Sequence, residues 1–215
     1  MRRQQHLPLI SHADNSRPDV GVAQRQESPI IGLKNFNNWV KSILISRFAY
    51  PALLKSTHTQ ERAKGKVLDM GCGKGGDITK WSKAKVRELL AVGVLFLSAL
   101  LSPSRSSNPD NSTDIAAVSV DQARDRWLNQ KGTKFEATFA ALDCYAEPLS
   151  RAFPPAKLVQ PFDVVSMQFC MHYAFETVQK ARCMLNNVTQ YLRPGGVFIG
   201  TIPNSDFLLY AIFLK

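Results

Sequence analysis

Val67 to Trp81 reads VLDMGCGKGGDITKW, an apolar run that ends in glycines and restarts with helical character. Gly71, Gly73 and Gly76 fit the G-x-G-x-x-G spacing by which a main chain approaches the phosphates of a dinucleotide. Gly71 permits a sharp turn and Gly73 a close approach to a ligand, while Gly75 and Gly76 lead into a helix whose free N–H groups suit a polar or anionic group. The spacing alone does not choose between a dinucleotide and a different adenosine cofactor. A dinucleotide loop calls for an acidic residue about 20 positions on, to hold the ribose. Val92-Gly93, ending the next strand, supplies none. With Gly93 to Thr113 left out, that strand continues ELLAVDIAAVSVDQARDRW, and Asp114 stands at its tip as a ribose-binding carboxylate. Asp69 before the loop, Asp77 after it and Asp143 at the end of a third strand add acid to the same edge. One such aspartate alone reads as a helix cap or turn residue. Several at successive strand ends read as a site.

The elements that would position these residues follow from hydrophobic period. Phe36, Trp39, Val40, Ile43 and Leu44 recur at helical spacing from Leu33 to Phe48, with Asn37, Asn38 and Lys41 beside that stripe. This predicts an amphipathic helix ahead of the main domain, with Trp39 and, further on, Trp81 in the core. Then come strand KVLDM, the glycine loop, a helix from Asp77, strand ELLAV, helix SVDQARDRWLNQ, strand FEATFAALD, strand FDVVSMQF, a helix from Phe175 to Leu192, an RPGG turn and strand VFIGTI. Short apolar strands alternating with helices predict an α/β fold with a doubly wound, Rossmann-like parallel sheet of about five strands, whose ligands sit at the strand C-terminal ends.

The 215 residues suit one α/β domain, and residues 1–29, polar and glutamine-rich, read as a disordered leader before a domain at 30–215. The formal charge is +10, and Lys34 to Lys85 holds eleven Lys and Arg against Glu61, Asp69 and Asp77. That balance fits a phosphate-bearing partner, or equally a solvated face. Cys72, Cys144, Cys170 and Cys183 form no C-x-x-C pair and the four histidines are scattered, so neither a zinc site nor a disulfide framework is indicated and a reducing compartment fits. The opening MRRQQHLPLI makes a poor signal peptide, which leaves Asn111-Ser-Thr and Asn187-Val-Thr as coincidental sequons. Leu89 to Leu101 is apolar over 13 residues, short of the ~20 that span a bilayer, and no membrane contact is predicted.

The arrangement of glycine loop and successive acids is similar to that of class I S-adenosylmethionine-dependent methyltransferases. The blocks NFNNWVKSILI, VLDMGCGKGGDITKW, DIAAVSVDQARDRW, FDVVSMQFCMHYAFE and LRPGGVFIGTIPNS resemble the successive signatures of eukaryotic mRNA cap guanine-N7 methyltransferases, covering most of Ile30 to Ser205. The resemblance places Lys41, Gly71, Asp114, Asp143, Gln168 and Tyr173 against S-adenosylmethionine, beside Gly73 and Asp77 of the same loop. It places Asn37 and Asn38 against the cap, with His172 helping to hold the guanine. Phe169 and Cys170 read as packing residues. It further implies 5′ capped RNA as substrate, other capping or transcription proteins as partners, and a nuclear setting. No catalytic side chain and no metal are implied: guanine N7 has an exposed lone pair and can take a methyl group without first losing a proton, so alignment and electrostatics suffice.

The family continues past the fifth strand with strands that also contact the cap, whereas here the sequence runs to SDFLLYAIFLK. The expectation is an incomplete domain, with the edge of its fifth strand unprotected. Two alternatives stand beside a cap enzyme: a methyltransferase for another substrate, and a non-catalytic binding remnant. Gly93 to Thr113, apolar and then Ser/Pro/Asn-rich, is far longer than the ~2–6 residues of an ordinary α/β connection. We read its 21 residues as translated intron: a GGT codon for Gly93 and ACA-GAT for Thr113-Asp114 would supply the GT and AG boundaries in frame. Deleting Gly93 to Thr113 should therefore strengthen binding of S-adenosylhomocysteine, the demethylated cofactor. Genomic DNA without GT and AG at those phases contradicts the intron, and weaker binding after deletion makes the segment part of the fold.

Overall fold

The computed structural model describes residues 30–55, 64–94, 115–132 and 134–206. The leader at 1–29, nearly all of the 93–113 segment and Asp114 lie outside the described residues. In chain order the elements are α1 (Ile31–Leu44), a π-helical turn (Ile45–Ala49), α2 (Tyr50–Leu54), β1 (Lys64–Met70), α3 (Ile78–Lys83), β2 (Val86–Gly93), α4 (Ile115–Leu128) and β3 (Glu136–Ala141). A 3-10 turn (Leu149–Arg151), α5 (Pro155–Leu158), β4 (Phe162–Gln168), a second 3-10 turn (Met171–Glu176), α6 (Val178–Tyr191) and β5 (Leu192–Thr201) follow.

The five strands form one parallel sheet in the order β3-β2-β1-β4-β5. The chain builds outward from β1 on one side and from β4 on the other, so the order reverses between these two strands. Such a switch point opens a crevice at the strand C-terminal ends. Because side chains alternate across a strand, Val67, Leu89, Ala91 and Val164 face one side, where Ile45, Ala49, Leu53, Trp81 and Ala123 cover them. Leu68, Met70, Leu90, Val92, Val165 and Met167 face the other, under Tyr145, Leu149, Phe153, Met184 and Val188. The doubly wound α/β architecture is the one the alternation predicts.

Local chemistry sets several boundaries. Pro51 has no N–H to give to the preceding turn, and a proline ring also crowds the carbonyl four residues back; the chain widens into the π turn just before it. Thr177 caps α6 by accepting from the Lys180 N–H at 3.2 Å. The RPGG stretch is not a turn ahead of β5: the strand starts at Leu192, and an irregularity between Phe162 and Val164 lets Arg193 to Gly196 bulge within the pairing. Among the described residues β5 pairs only with β4.

The N-terminal edge of the sheet is clamped by charge. Asp163 accepts from the Lys66 N–H at 2.7 Å and from Arg193 Nε at 2.7 Å, while Arg193 Nη2 donates to the Ala52 carbonyl at 3.1 Å. Lys66, buried, lies 3.5 Å from Glu88, which also holds Lys157 at 3.1 Å; Lys157 reaches Glu136 as well. Asn187 does similar work at the other edge. Its amide nitrogen donates to the Cys144 and Glu147 carbonyls at 3.0 and 2.9 Å, and its oxygen accepts from the Leu149 N–H at 3.1 Å. That bonding and burial explain why the sequon at Asn187 is coincidental.

The amphipathic helix is present, but its apolar stripe is not buried. No residue of α1 is buried, and Trp39 is 60% exposed, with Phe36 and Leu33 at 58%. Trp39 is therefore not a core residue; α1 reaches the glycine loop and α3 through Asn38 and Lys41. Trp81 is fully buried, as expected.

Two predictions follow from this burial. Trp81→Ala should cost about 3–5 kcal/mol by urea unfolding, whereas Trp39→Ala should change stability by no more than about 0.5 kcal/mol; equal losses would contradict the exposed face. Burial first, then the nearby charge of Asp77, pushes Asp69 up to about 7 from its ordinary 3.8. The folded chain thus keeps a proton that the unfolded chain releases. The stability this confers is whole below the ordinary value and lost as pH rises through about 7. Asp69→Asn cannot lose it, so the variant should gain on the parent as pH rises from about 4 to about 7 and level off above that. Parallel stability curves would contradict this assignment.

Candidate functional site

The glycine loop forms because β1 ends beside β2: the Gly71 and Cys72 N–H groups both donate to the Val92 carbonyl, at 2.8 and 2.9 Å. Gly71 turns there with φ +84°, and a Cβ on it would strike the Cys170 side chain. Gly73 also has positive φ, yet nothing lies within 4 Å of where its Cβ would stand. One glycine is required by packing. The other leaves bare backbone facing open space, the cradle a cofactor needs.

Asp77 opens α3 without capping it through its side chain. Its carboxylate instead meets two cations, Lys41 Nζ at 2.8 Å and Lys80 Nζ at 2.9 Å. Lys80 also donates to Asn38 Oδ1 at 3.2 Å and to the Gly76 carbonyl at 3.3 Å. Lys41 Nζ stands 5.8 Å from the centre of the Phe169 ring, within cation–π range. Lys41 and Asn38 of α1 are thereby joined to the loop and to the tip of β4.

The remaining predicted residues distribute along the same sheet edge. Asp143 follows β3 and its Oδ1 accepts from the Tyr145 N–H at 3.0 Å, an Asx turn that leaves Oδ2 as the oxygen able to meet a ligand. Tyr145 locks that loop to the next one, its hydroxyl donating to the Cys170 carbonyl at 2.8 Å. Gln168 closes β4, buried, with its amide bonded to Ser166 and Thr201. His172 and Tyr173 stand on the following 3-10 turn with ring centres 4.1 Å apart. Burial holds His172 below the ordinary histidine value, so its ring is neutral near pH 7. Its Nδ1 is buried without a hydrogen-bond partner among the described residues. Asn37 sits half-buried on α1. Asp114 lies outside the described residues, and the position after Val92 is held by Gly93, paired with Ala141 as the last residue of β2.

Sequence reasoning passed over Lys80, Tyr145, Asn187 and Thr201. Lys80 stands three residues after Asp77, a spacing that puts both on one helix face and was visible in the sequence. The other three act across long separations that no local pattern reveals. Burial pushes the thiols of Cys72 and Cys144 well above their ordinary values and that of Cys170 up to about 12, which favours the protonated, unreactive form of each. No group of side chains among the described residues could hold a metal.

Comparison with known proteins identifies the family. Residues 2–99 and 111–214 match the model of the mRNA (guanine-N(7))-methyltransferase domain. The interruption at 100–110 lies inside the Gly93–Thr113 stretch, and the match begins ahead of residue 30. An mRNA cap guanine-N(7) methyltransferase of Cryptococcus neoformans var. neoformans is 48% identical over 94% of this chain and 28% of its own length. Those of Schizosaccharomyces pombe and Saccharomyces cerevisiae are 44% and 35% identical, over 91% and 88% of this chain and 45% and 36% of theirs. The chain thus spans less than half the length of these curated relatives. It belongs to the mRNA (guanine-N(7))-methyltransferase domain family.

Proposed function

We propose that this chain carries the cofactor-binding half of a cap guanine-N7 methylation site, with S-adenosylmethionine in the glycine-loop crevice and the cap guanine beside it. The observation that supports this most is the bridge from α1 to the loop. Asn38 and Lys41 are held by Lys80 and Asp77, so the helix assigned to the cap and the loop assigned to the cofactor form one surface. The loop around Gly73 would receive the amino-acid part of the cofactor, and Asp143 and Gln168 its nucleoside part. When bound, the cofactor supplies a methyl group on a cationic sulfur.

The chain's own residues align and shield. Asn37 and Asn38 would fix the cap so that N7 faces the methyl group, and no side chain need remove a proton. The methylated guanine gains positive charge, and a neutral His172 can lie against it without repulsion. The rings of Tyr173 and His172 offer faces to a cation, a contact worth about 0.5–2 kcal/mol for a tyrosine. The basic residues of α1 and the loop, among them Lys34 and Lys74, would draw in the triphosphate and RNA. No helix among the described residues is long and apolar enough to cross a membrane. Partnership with other capping or transcription proteins, and a nuclear location, belong to the same reading.

Calorimetry tests it directly. The chain should bind S-adenosylhomocysteine saturably and NAD not at all, and Asp143→Ala should weaken the former by about 1–3 kcal/mol. Asn38→Ala should weaken binding of a GpppG-capped RNA more than that of S-adenosylhomocysteine, and the RNA affinity should fall as salt rises. Tighter NAD binding overturns the cofactor. Equal loss of both ligands in Asn38→Ala points to a folding role for that residue.

A further inference from the structure

Phe169, at the tip of β4, has φ +58°, a left-handed conformation that residues with side chains seldom adopt. Such a backbone persists only where neighbours hold it. The holder is Thr201, at the end of β5: its carbonyl accepts the Phe169 N–H at 3.0 Å and its hydroxyl oxygen accepts the same N–H at 2.9 Å.

That second bond has a consequence for Gln168. An N–H can only donate, so the hydroxyl oxygen accepts there and its one proton is free to point elsewhere. The available acceptor is Gln168 Oε1, 3.1 Å away. The Gln168 amide is thus tied at both ends, its oxygen to Thr201 and its nitrogen to Ser166, whose Oγ is 3.1 Å from Nε2. Ser166 and Gln168 are buried and Thr201 is half-buried.

We propose that Thr201 is a positioning residue for the ligand edge. Its hydroxyl anchors the end of the Gln168 amide and holds Phe169 where the centre of its ring lies 5.8 Å from Lys41 Nζ, so Gln168 is offered to a ligand from one fixed place. The proposal rests on the cofactor reading above and deepens it: the nucleoside end of the ligand would be read by Gln168 from the place where Thr201 holds it.

Calorimetry on the full chain, with S-adenosylhomocysteine as the ligand, decides it. Thr201→Val keeps the β-branched shape and removes the hydroxyl; it should weaken binding about tenfold. Thr201→Ser keeps the hydroxyl and should restore binding to within about threefold of the parent. On a Gln168→Ala background the Thr201→Val effect should largely vanish, since residues acting through one another are not additive. Amide exchange at Phe169 should quicken in Thr201→Val, with or without ligand. If Thr201→Val does not fold, Ser166→Ala releases the amide from its other end and should likewise weaken binding only when Gln168 is present. Parent-like binding in the folded variant, or full additivity with Gln168→Ala, overturns the proposal alone. A parent chain that binds no S-adenosylhomocysteine overturns the cofactor reading and this proposal with it.

Discussion

The ion pair between Lys41 and Asp77 is the contact on which the site depends. α1 has no buried residue, so apolar packing does not hold it against the domain. What holds it is the π turn and α2 behind it, through Ile45, Ala49 and Leu53, and the 2.8 Å bridge from Lys41 in front. Exposed pairs of this type contribute little. This one is mostly withdrawn from water, with side-chain exposures of 17% and 8%, and it is braced by Lys80 on the second carboxylate oxygen. A ligand that recruits Lys41 or Asp77 must rearrange that bridge. On the proposed reading the same two side chains would serve both cofactor binding and the placement of α1, which would couple the two.

Stability and ligand chemistry sit at opposite ends of one sheet. The N-terminal edge carries Lys66, Glu88, Lys157, Asp163 and Arg193 in a closed network, and burying such charges is tolerable only because each has partners. The C-terminal edge carries the glycine loop, Asp143 after β3, Gln168 as the last residue of β4 and the His172-Tyr173 pair on the 3-10 turn that follows, where main chain and side chains remain able to meet a ligand. Asn187 and Tyr145 extend rigidity to that second edge by tying the loop after β3 to α6 and to Cys170. A reaction that needs alignment more than proton transfer benefits from such bracing, since misplacement of the reacting atoms by about 1 Å is costly.

The sheet was legible in the sequence because its strands are apolar runs punctuated by helical periods, and parallel strands buried on both faces announce themselves that way. The glycine loop and the polar face of α1 were legible as well, the first from spacing and the second from the block around Asn37 and Lys41. Periodicity misled for Trp39: it reports which residues share a face, not whether anything covers that face. RPGG suggested a turn because glycine and proline are turn residues, while the pairing with β4 absorbs them as a bulge. Thr201, Tyr145 and Asn187 escaped because a hydrogen bond spanning 25 to 43 residues leaves no mark on local pattern.

On the proposed reading, one surface built from α1 and the strand C-terminal edge takes both ligands side by side. Amide chemical-shift mapping of the chain, first with S-adenosylhomocysteine and then with GpppG added, tests it most directly. The first ligand should perturb the backbone at Gly73, Lys41, Asp143 and Gln168, and the second should add shifts at Asn37, Asn38 and His172 while leaving Lys66 and Asp163 unmoved. Perturbations confined to the N-terminal edge of the sheet, or a second ligand that displaces the first, would contradict it.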